Sequence, residues 1–254
     1  MLAVERRSKI EDIITENKSV LVTELAKQFD VTPETIRGDL LKLEKQGVLV
    51  RTYGGATLAA SSGSELSYKE RDVVNAEAKH KIGARAADMI RDGETIFLDA
   101  STSSLWLARN IKNKKGLTVI TNAVNIVLEL AECDNIKLIC TGGGLNTRNM
   151  SYTGRFAERM ITENLTADKC FFSCKGVTVS RGMTDASEDE AEIKRAMMQA
   201  SDSVIFLCDH NKLGRKGIPV IASIDKIDTL ITDIRPDREW HAAMQEAGVR
   251  VITV

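Results

Sequence analysis

Aromatic side chains make up only 4% of this 254-residue chain, and proline and histidine occur three times each. The histidines are scattered without metal-ligand spacing, so neither a metal nor a cofactor is expected. The five cysteines, Cys133, Cys140, Cys170, Cys174 and Cys208, form no CxxC pair and mostly fall in apolar, strand-like runs. Buried free thiols in a reducing compartment are the expectation. No apolar run approaches the roughly 20 residues that span a bilayer. The first residues, MLAVERRSKIEDII, are amphipathic and charged rather than a signal-peptide core. A cytoplasmic protein with no membrane partner is expected. Charge of one sign is missing too: the net charge is -1. Up to Ala56, Arg6, Arg7, Lys9, Lys18, Lys27, Arg37, Lys42, Lys45 and Arg51 are matched one for one by acids. Any contact with nucleic acid must therefore come from where the charges sit, not from their sum.

What is present is an ordinary globular composition, 43% hydrophobic and 28% charged, which excludes disorder. The pattern changes near residue 57. Before it the periodicity is helical; Thr57–Ser64 is small and polar, and residues 57–66 read as a linker. Beyond it, apolar runs at Thr95–Ala100, Leu117–Thr121, Ile136–Thr141, Cys170–Cys174, Val204–Cys208, Thr229–Thr232 and Val249–Val254 alternate with amphipathic stretches. The stretches are Leu105–Lys112, Ala123–Cys133, Glu188–Ala200 and Arg238–Ala247. Continuous apolar strands between helices indicate an α/β domain over 67–254 with a largely parallel sheet covered on both faces.

Residues 1–56 contain three helices by pattern. The first carries Ile10, Ile13 and Ile14 on one face, and the second runs from Glu24 to Phe29 with Thr23 as its expected N-cap. Thr32 caps the third, which opens on Pro33 and buries Ile36, Leu40 and Leu43. That stripe leaves Glu34, Thr35, Arg37 and Gly38 outside, with Lys42 and Lys45 further along. In a helix-turn-helix the start of the second helix meets base edges, where arginine pairs bidentately with guanine. After Gly47, which can stop the helix, Val48–Gly55 reads as the strand, turn and strand of a wing. Arg51 and Tyr53 near its tip are placed to meet phosphate or the minor groove. Double-stranded DNA is the expected partner; the alternative is a small interaction module whose charges are a solvated face.

In the larger domain, three polar or glycine-rich turns follow successive strands. Asp99, Ser101, Thr102 and Ser103 stand between a strand and a helix, where hydroxyls and backbone N–H groups cradle phosphate. Asn122 follows the next strand, and Gly142 and Gly143, with Arg148 close behind, follow the third. Such strand ends share the edge where parallel sheets bind ligands. Glu190 and Lys194 share a helix face at i, i+4, and otherwise read as a surface ion pair. Asp209 and Lys212 follow another strand and suit a sugar hydroxyl and a phosphate; ordinary loop solvation is the plainer reading.

The stretches Glu5–Ile10, Val20–Ala26, Val31–Arg37 and Tyr53–Ala56 resemble the DeoR family of bacterial sugar-metabolism regulators. So do Arg71, Asn75, Asp92–Asp99, Thr121-Asn122, Thr141–Gly143, Glu190 with Lys194, and Asp209–Lys212, which resemble its sensor domain. The resemblance implies a winged helix-turn-helix joined to an α/β sensor domain similar to ribose-5-phosphate isomerase. It further implies operator DNA and a phosphorylated sugar effector as partners, and a homodimer or homotetramer. It makes the chain a regulator, expected to repress a carbohydrate operon; the alternative is a sugar-phosphate isomerase-like enzyme. Three departures stand out. Family members usually carry a second arginine where this chain has Gly38, and histidine where it has Tyr53. An Asp-Gly-x-Asp turn common in the family is Lys175-Gly-Val-Thr178 here, and Lys175 would favour a more anionic effector.

Overall fold

A computed structural model describes residues 3–17, 19–45, 48–58 and 68–254. The chain divides into two compact units, Met1–Ala76 and Glu77–Val254. No helix among the described residues is long and apolar enough to cross a membrane.

The first unit opens with α1 (Ala3–Asn17), β1 (Ser19–Leu21), α2 (Val22–Phe29) and α3 (Pro33–Lys45). The hairpin of β2 (Leu49–Thr52) and β3 (Gly55–Leu58) follows, and then α4 (Tyr68–Val73). Ile10 and Ile14, Leu25, and Ile36, Leu40 and Leu43 meet in one core, as their helical spacing requires. β3 lies between β1 and β2 in a three-stranded antiparallel sheet. A Cβ on Gly55 would lie 2.1 Å from the Val20 carbonyl oxygen, so β1 and β3 approach this closely only with glycine there. Val74 bridges back to Thr52 of β2 in antiparallel register.

Three expectations change in this unit. β1 interrupts the helical pattern, because three residues are too few to show alternation. Thr23 does not cap α2: the N-cap is Leu21, with no side-chain bond, and Thr23 is exposed inside the helix. Here a strand runs straight into the helix, and the Val22 N–H is satisfied by the Gly54 carbonyl at 2.8 Å. Thr57 and Leu58, expected in the linker, pair with Val50 and Leu49 in the wing. Gly47, the Lys45 side chain and residues 59–66 lie outside the described residues.

The second unit alternates strand and helix. It runs α5 (Ala76–Ala87), β4 (Thr95–Leu98), α6 (Thr102–Asn110), β5 (Leu117–Thr121), α7 (Val124–Leu130) and β6 (Ile136–Cys140). A hairpin of β7 (Gly144–Asn146) and β8 (Ser151–Thr153) leads to α8 (Arg155–Asn164) and β9 (Ala167–Phe172). Next come β10 (Gly176–Thr178), β11 (Gly182–Thr184), α9 (Glu188–Gln199), β12 (Ser201–Cys208) and β13 (Val220–Ala222). β14 (Thr229–Thr232), α10 (Arg238–Glu246) and β15 (Arg250–Thr253) complete it. Seven strands form one sheet in the order β15-β14-β12-β9-β4-β5-β6, every neighbouring pair parallel. These are the seven apolar runs of the sequence. The central strands are buried on both faces, with Phe97, Phe171, Phe172 and Phe206 among their residues, while the edge strands β6 and β15 are partly exposed.

Chain order runs from β4 outward through β5 and β6, then returns through β9 on the other side of β4. The carboxyl ends of β4 and β9 therefore flank the point where the order reverses, the place where open α/β sheets bind ligands. Lys175-Gly-Val-Thr178, expected as a turn, is largely strand: Gly176–Thr178 is β10, paired with β11.

Candidate functional site

The strand-end site is organised by Asp99, which follows β4 and is 1% exposed. Its Oδ1 accepts from Ser101 Oγ at 2.7 Å and Ser104 Oγ at 2.5 Å, and its Oδ2 accepts from the Ser173 N–H at 3.2 Å. Ser101 in turn caps α6 by accepting from the Ser104 N–H. One carboxylate thus ties the serine-rich turn after β4 to the end of β9. Thr102 and Ser103 are buried in the first turn of α6.

Lys194, on α9 and 5% exposed, sits among three carboxylates. Its Nζ lies 2.6 Å from Asp185 Oδ2, 3.6 Å from Asp99 Oδ2 and 3.9 Å from Glu190 Oε2. Burial alone would pull the ammonium below the ordinary lysine value, but Asp185, Asp99 and Glu190 outweigh it and hold the group above that value. The i, i+4 pair with Glu190 is therefore the longest of the three, and it is buried rather than on the surface. Glu190 Oε1 accepts from Ser151 Oγ at 2.5 Å and Asn149 Nδ2 at 3.2 Å, which joins α9 to the β7–β8 hairpin.

Asp209 and Lys212 end β12 in a short 3-10 turn. Lys212 Nζ donates to Ser173 Oγ at 2.5 Å and stands 3.7 Å from Asp209 Oδ2. Asn122 is buried after β5 and donates through Nδ2 to the Tyr152 carbonyl at 3.0 Å. Its Oδ1, and Ser103 Oγ, are buried with no hydrogen-bond partner among the described residues. Of the candidate residues, these two have buried side-chain polar atoms left unpaired among the described residues. Gly142 and Gly143 follow β6 at φ +66 and +116, and a Cβ on Gly143 would lie 2.7 Å from the Thr153 carbonyl oxygen. Arg148 is exposed in the β7–β8 turn, and Lys175 is half-buried between β9 and β10.

Asp185, Asn149, Ser151 and Ser173 were not singled out from the sequence. For Asp185 the available signal is Ser187 just beyond it, whose side chain accepts from the Glu190 N–H and marks the start of α9. Burial pushes the Cys174 thiol close to this edge up to about 12, against the lowering effect of Lys212. Cys140, expected to be buried, is exposed because β6 is an edge strand.

In the first unit, Thr32 caps α3: its Oγ1 accepts from the Thr35 N–H at 3.3 Å and lies 3.0 Å from Thr35 Oγ1. Glu34 and Arg37 are exposed and paired with each other at 2.7 Å. Lys42 is exposed on the same helix, and Tyr53, 97% exposed, forms the wing tip. Arg51 is engaged by Glu44 of α3, through its N–H at 2.9 Å and its Nε at 2.8 Å. That pairing fastens the wing to α3. On the other side of α3, Asp39 is 4% exposed and accepts from Arg6 Nε at 2.6 Å and Arg7 Nη1 at 3.3 Å.

Because Lys42 has no ionic partner among the described residues, Lys42→Ala is expected to weaken binding to every duplex alike. The slope of log K against log salt should fall by about 0.9. A salt titration with fluorescently labelled DNA checks this; an unchanged slope removes Lys42 from the interface.

A winged helix and a polar strand-end site on one chain define a DNA-binding protein with an attached sensor. The model of the DeoR-like helix-turn-helix domain matches residues 6–62, and that of the DeoR C terminal sensor domain matches residues 74–234. The chain belongs to the DeoR family. It is 39% identical over all of its length to YulB of Bacillus subtilis (strain 168), an uncharacterized HTH-type transcriptional regulator, covering 98% of that protein. It is 31% identical to the putative aga operon transcriptional repressor of Escherichia coli O157:H7, over 98% of this chain and 93% of that one. Among solved structures, ribose 5-phosphate isomerase A of Methanocaldococcus jannaschii matches 55% of each chain, with 14% identity and a TM-score of 0.41. That likeness is too loose to bear on chemistry.

Proposed function

We propose that this protein is a DNA-binding transcriptional regulator that represses a carbohydrate-utilisation operon and is released by a phosphorylated sugar. The observation that carries the reading is the pairing, on one chain, of an outward-facing helix start at Glu34–Arg37 with the strand-end site around Asp99 and Lys194. The winged helix, which runs through Leu58, reads the operator, and the unit Glu77–Val254 senses the effector and oligomerises. A homodimer or homotetramer presents two recognition helices to related half-sites. Ser103 and Asn122 take sugar hydroxyls through their open polar atoms. The glycine turn, Arg148, Lys175 and Lys212 take the phosphate. The name of the aga operon repressor supports repression over activation. Catalysis is disfavoured by Glu190, the candidate base of an isomerase. Its Oε1 is spent on Ser151 and Asn149 while its Oε2 faces Lys194.

The test has two arms on the full chain. Duplexes are selected from a randomised library, and a panel of sugar phosphates is then screened by thermal shift. An effector at about 100 times its Kd should add roughly 2.7 kcal/mol to the stability of the sensor. That compound should also release the selected duplex in a gel assay. Enrichment of no sequence overturns the DNA arm; a panel without a single shift overturns the sensor arm.

A further inference from the structure

We propose that Asp39 is a positioning residue for DNA readout, fixing the rotation and height of α3 through Arg6 and Arg7 of α1. The inference rests on the DNA-binding reading above. Ile36, Leu40 and Leu43 hold α3 against the core, but apolar contact has no direction and tolerates small rotations. Asp39 supplies direction. At 3.6 residues per turn it points away from Arg37, two positions earlier, by a little more than half a turn. Each of its carboxylate oxygens is taken by a different guanidinium, Oδ2 by Arg6 and Oδ1 by Arg7. Two bonds to two residues fix the carboxylate in position and in plane, and with it the helix that carries Thr35 and Arg37. A buried ion pair of this kind adds little net stability over an apolar pair of the same size. Orientation is therefore the better account of why it stands in an otherwise hydrophobic interface.

The arrangement also explains the balanced charge of the unit. Arg6, Arg7 and Arg51 serve contacts inside it. The exposed cations without an ionic partner among the described residues are Lys9, Lys27 and Lys42. Apart from Arg37, arginine holds the frame, and lysine is left for phosphate.

The test compares the affinities of the full chain for a duplex selected by the parent and for a random-sequence duplex, at matched salt and well below the unfolding midpoint. Asp39→Asn keeps the shape and removes the charge. The selected duplex should lose roughly tenfold or more in affinity, and the random one less than about twofold. A purely stabilising role would lower the midpoint and leave the ratio of the two affinities unchanged; that outcome overturns the inference. Should far-UV circular dichroism show that Asp39→Asn has lost its helices, Arg6→Lys decides. It keeps the charge pair but not the geometry, and an unchanged ratio there is equally fatal. If the parent enriches no duplex, the DNA-binding reading falls and this inference with it.

Discussion

Lys194→Met is expected to cost the second unit roughly 3–5 kcal/mol of unfolding free energy, as when one partner of a buried ion pair is removed. Asp99, Asp185 and Glu190 would remain, all buried and all facing the place of the lost ammonium. Both tryptophans, Trp106 and Trp240, lie in this unit. Urea unfolding followed by tryptophan fluorescence therefore reports on it separately. The pH dependence has a definite sign. The folded value of Lys194 is raised above its unfolded one. Its contribution is therefore complete below the ordinary lysine value of 10.5 and is lost only as pH rises through the higher folded value. Between about pH 6 and pH 9 the contribution of Lys194 to the parent should stay constant. A gap between parent and variant under about 1 kcal/mol, the range of an exposed pair, would show that the cluster is not buried in solution.

Arg37→Ala should lower affinity for the preferred duplex by about 1–3 kcal/mol and relax base preference at one position. Fluorescence anisotropy with the selected duplex and single-base variants of it measures both. In the free protein Arg37 is held by Glu34, but the pair is exposed and its release costs little. Gly38 next to Arg37 has open space where a side chain would stand. The arginine usual in the family is thus absent for no steric reason. Equal affinity in Arg37→Ala at matched salt would show that another helix reads the bases.

The seven strands of the large sheet are legible in the sequence because a parallel sheet buries both faces and writes each strand as a continuous apolar run. β7, β8, β10, β11 and β13 are not, since three residues carry no period. The cap at Thr32 could be read from its neighbours, whereas Thr23 misled because the turn before α2 is a strand. Within the site, Asp99, Glu190 and Lys194 stood out by place. Asp185 did not, because the hairpin of β10 and β11 is what carries it to Lys194. Asp39 was hidden for a similar reason. Between exposed Gly38 and buried Leu40 it reads as one more solvated acid until Arg6, 33 residues earlier, is seen against it.

The place of β4 in the sheet has a consequence in time. β4 lies beside β9, and the backbone at Thr95 is bonded to Asp168, 73 residues further along the chain. Loops of that span close slowly, so the centre of the sheet cannot form until β9 has emerged from the ribosome. The winged helix is assembled from nearer partners and is translated first. A growing chain therefore passes through an interval in which the reader exists and its governor does not. The length of that interval is set by the topology of the sheet.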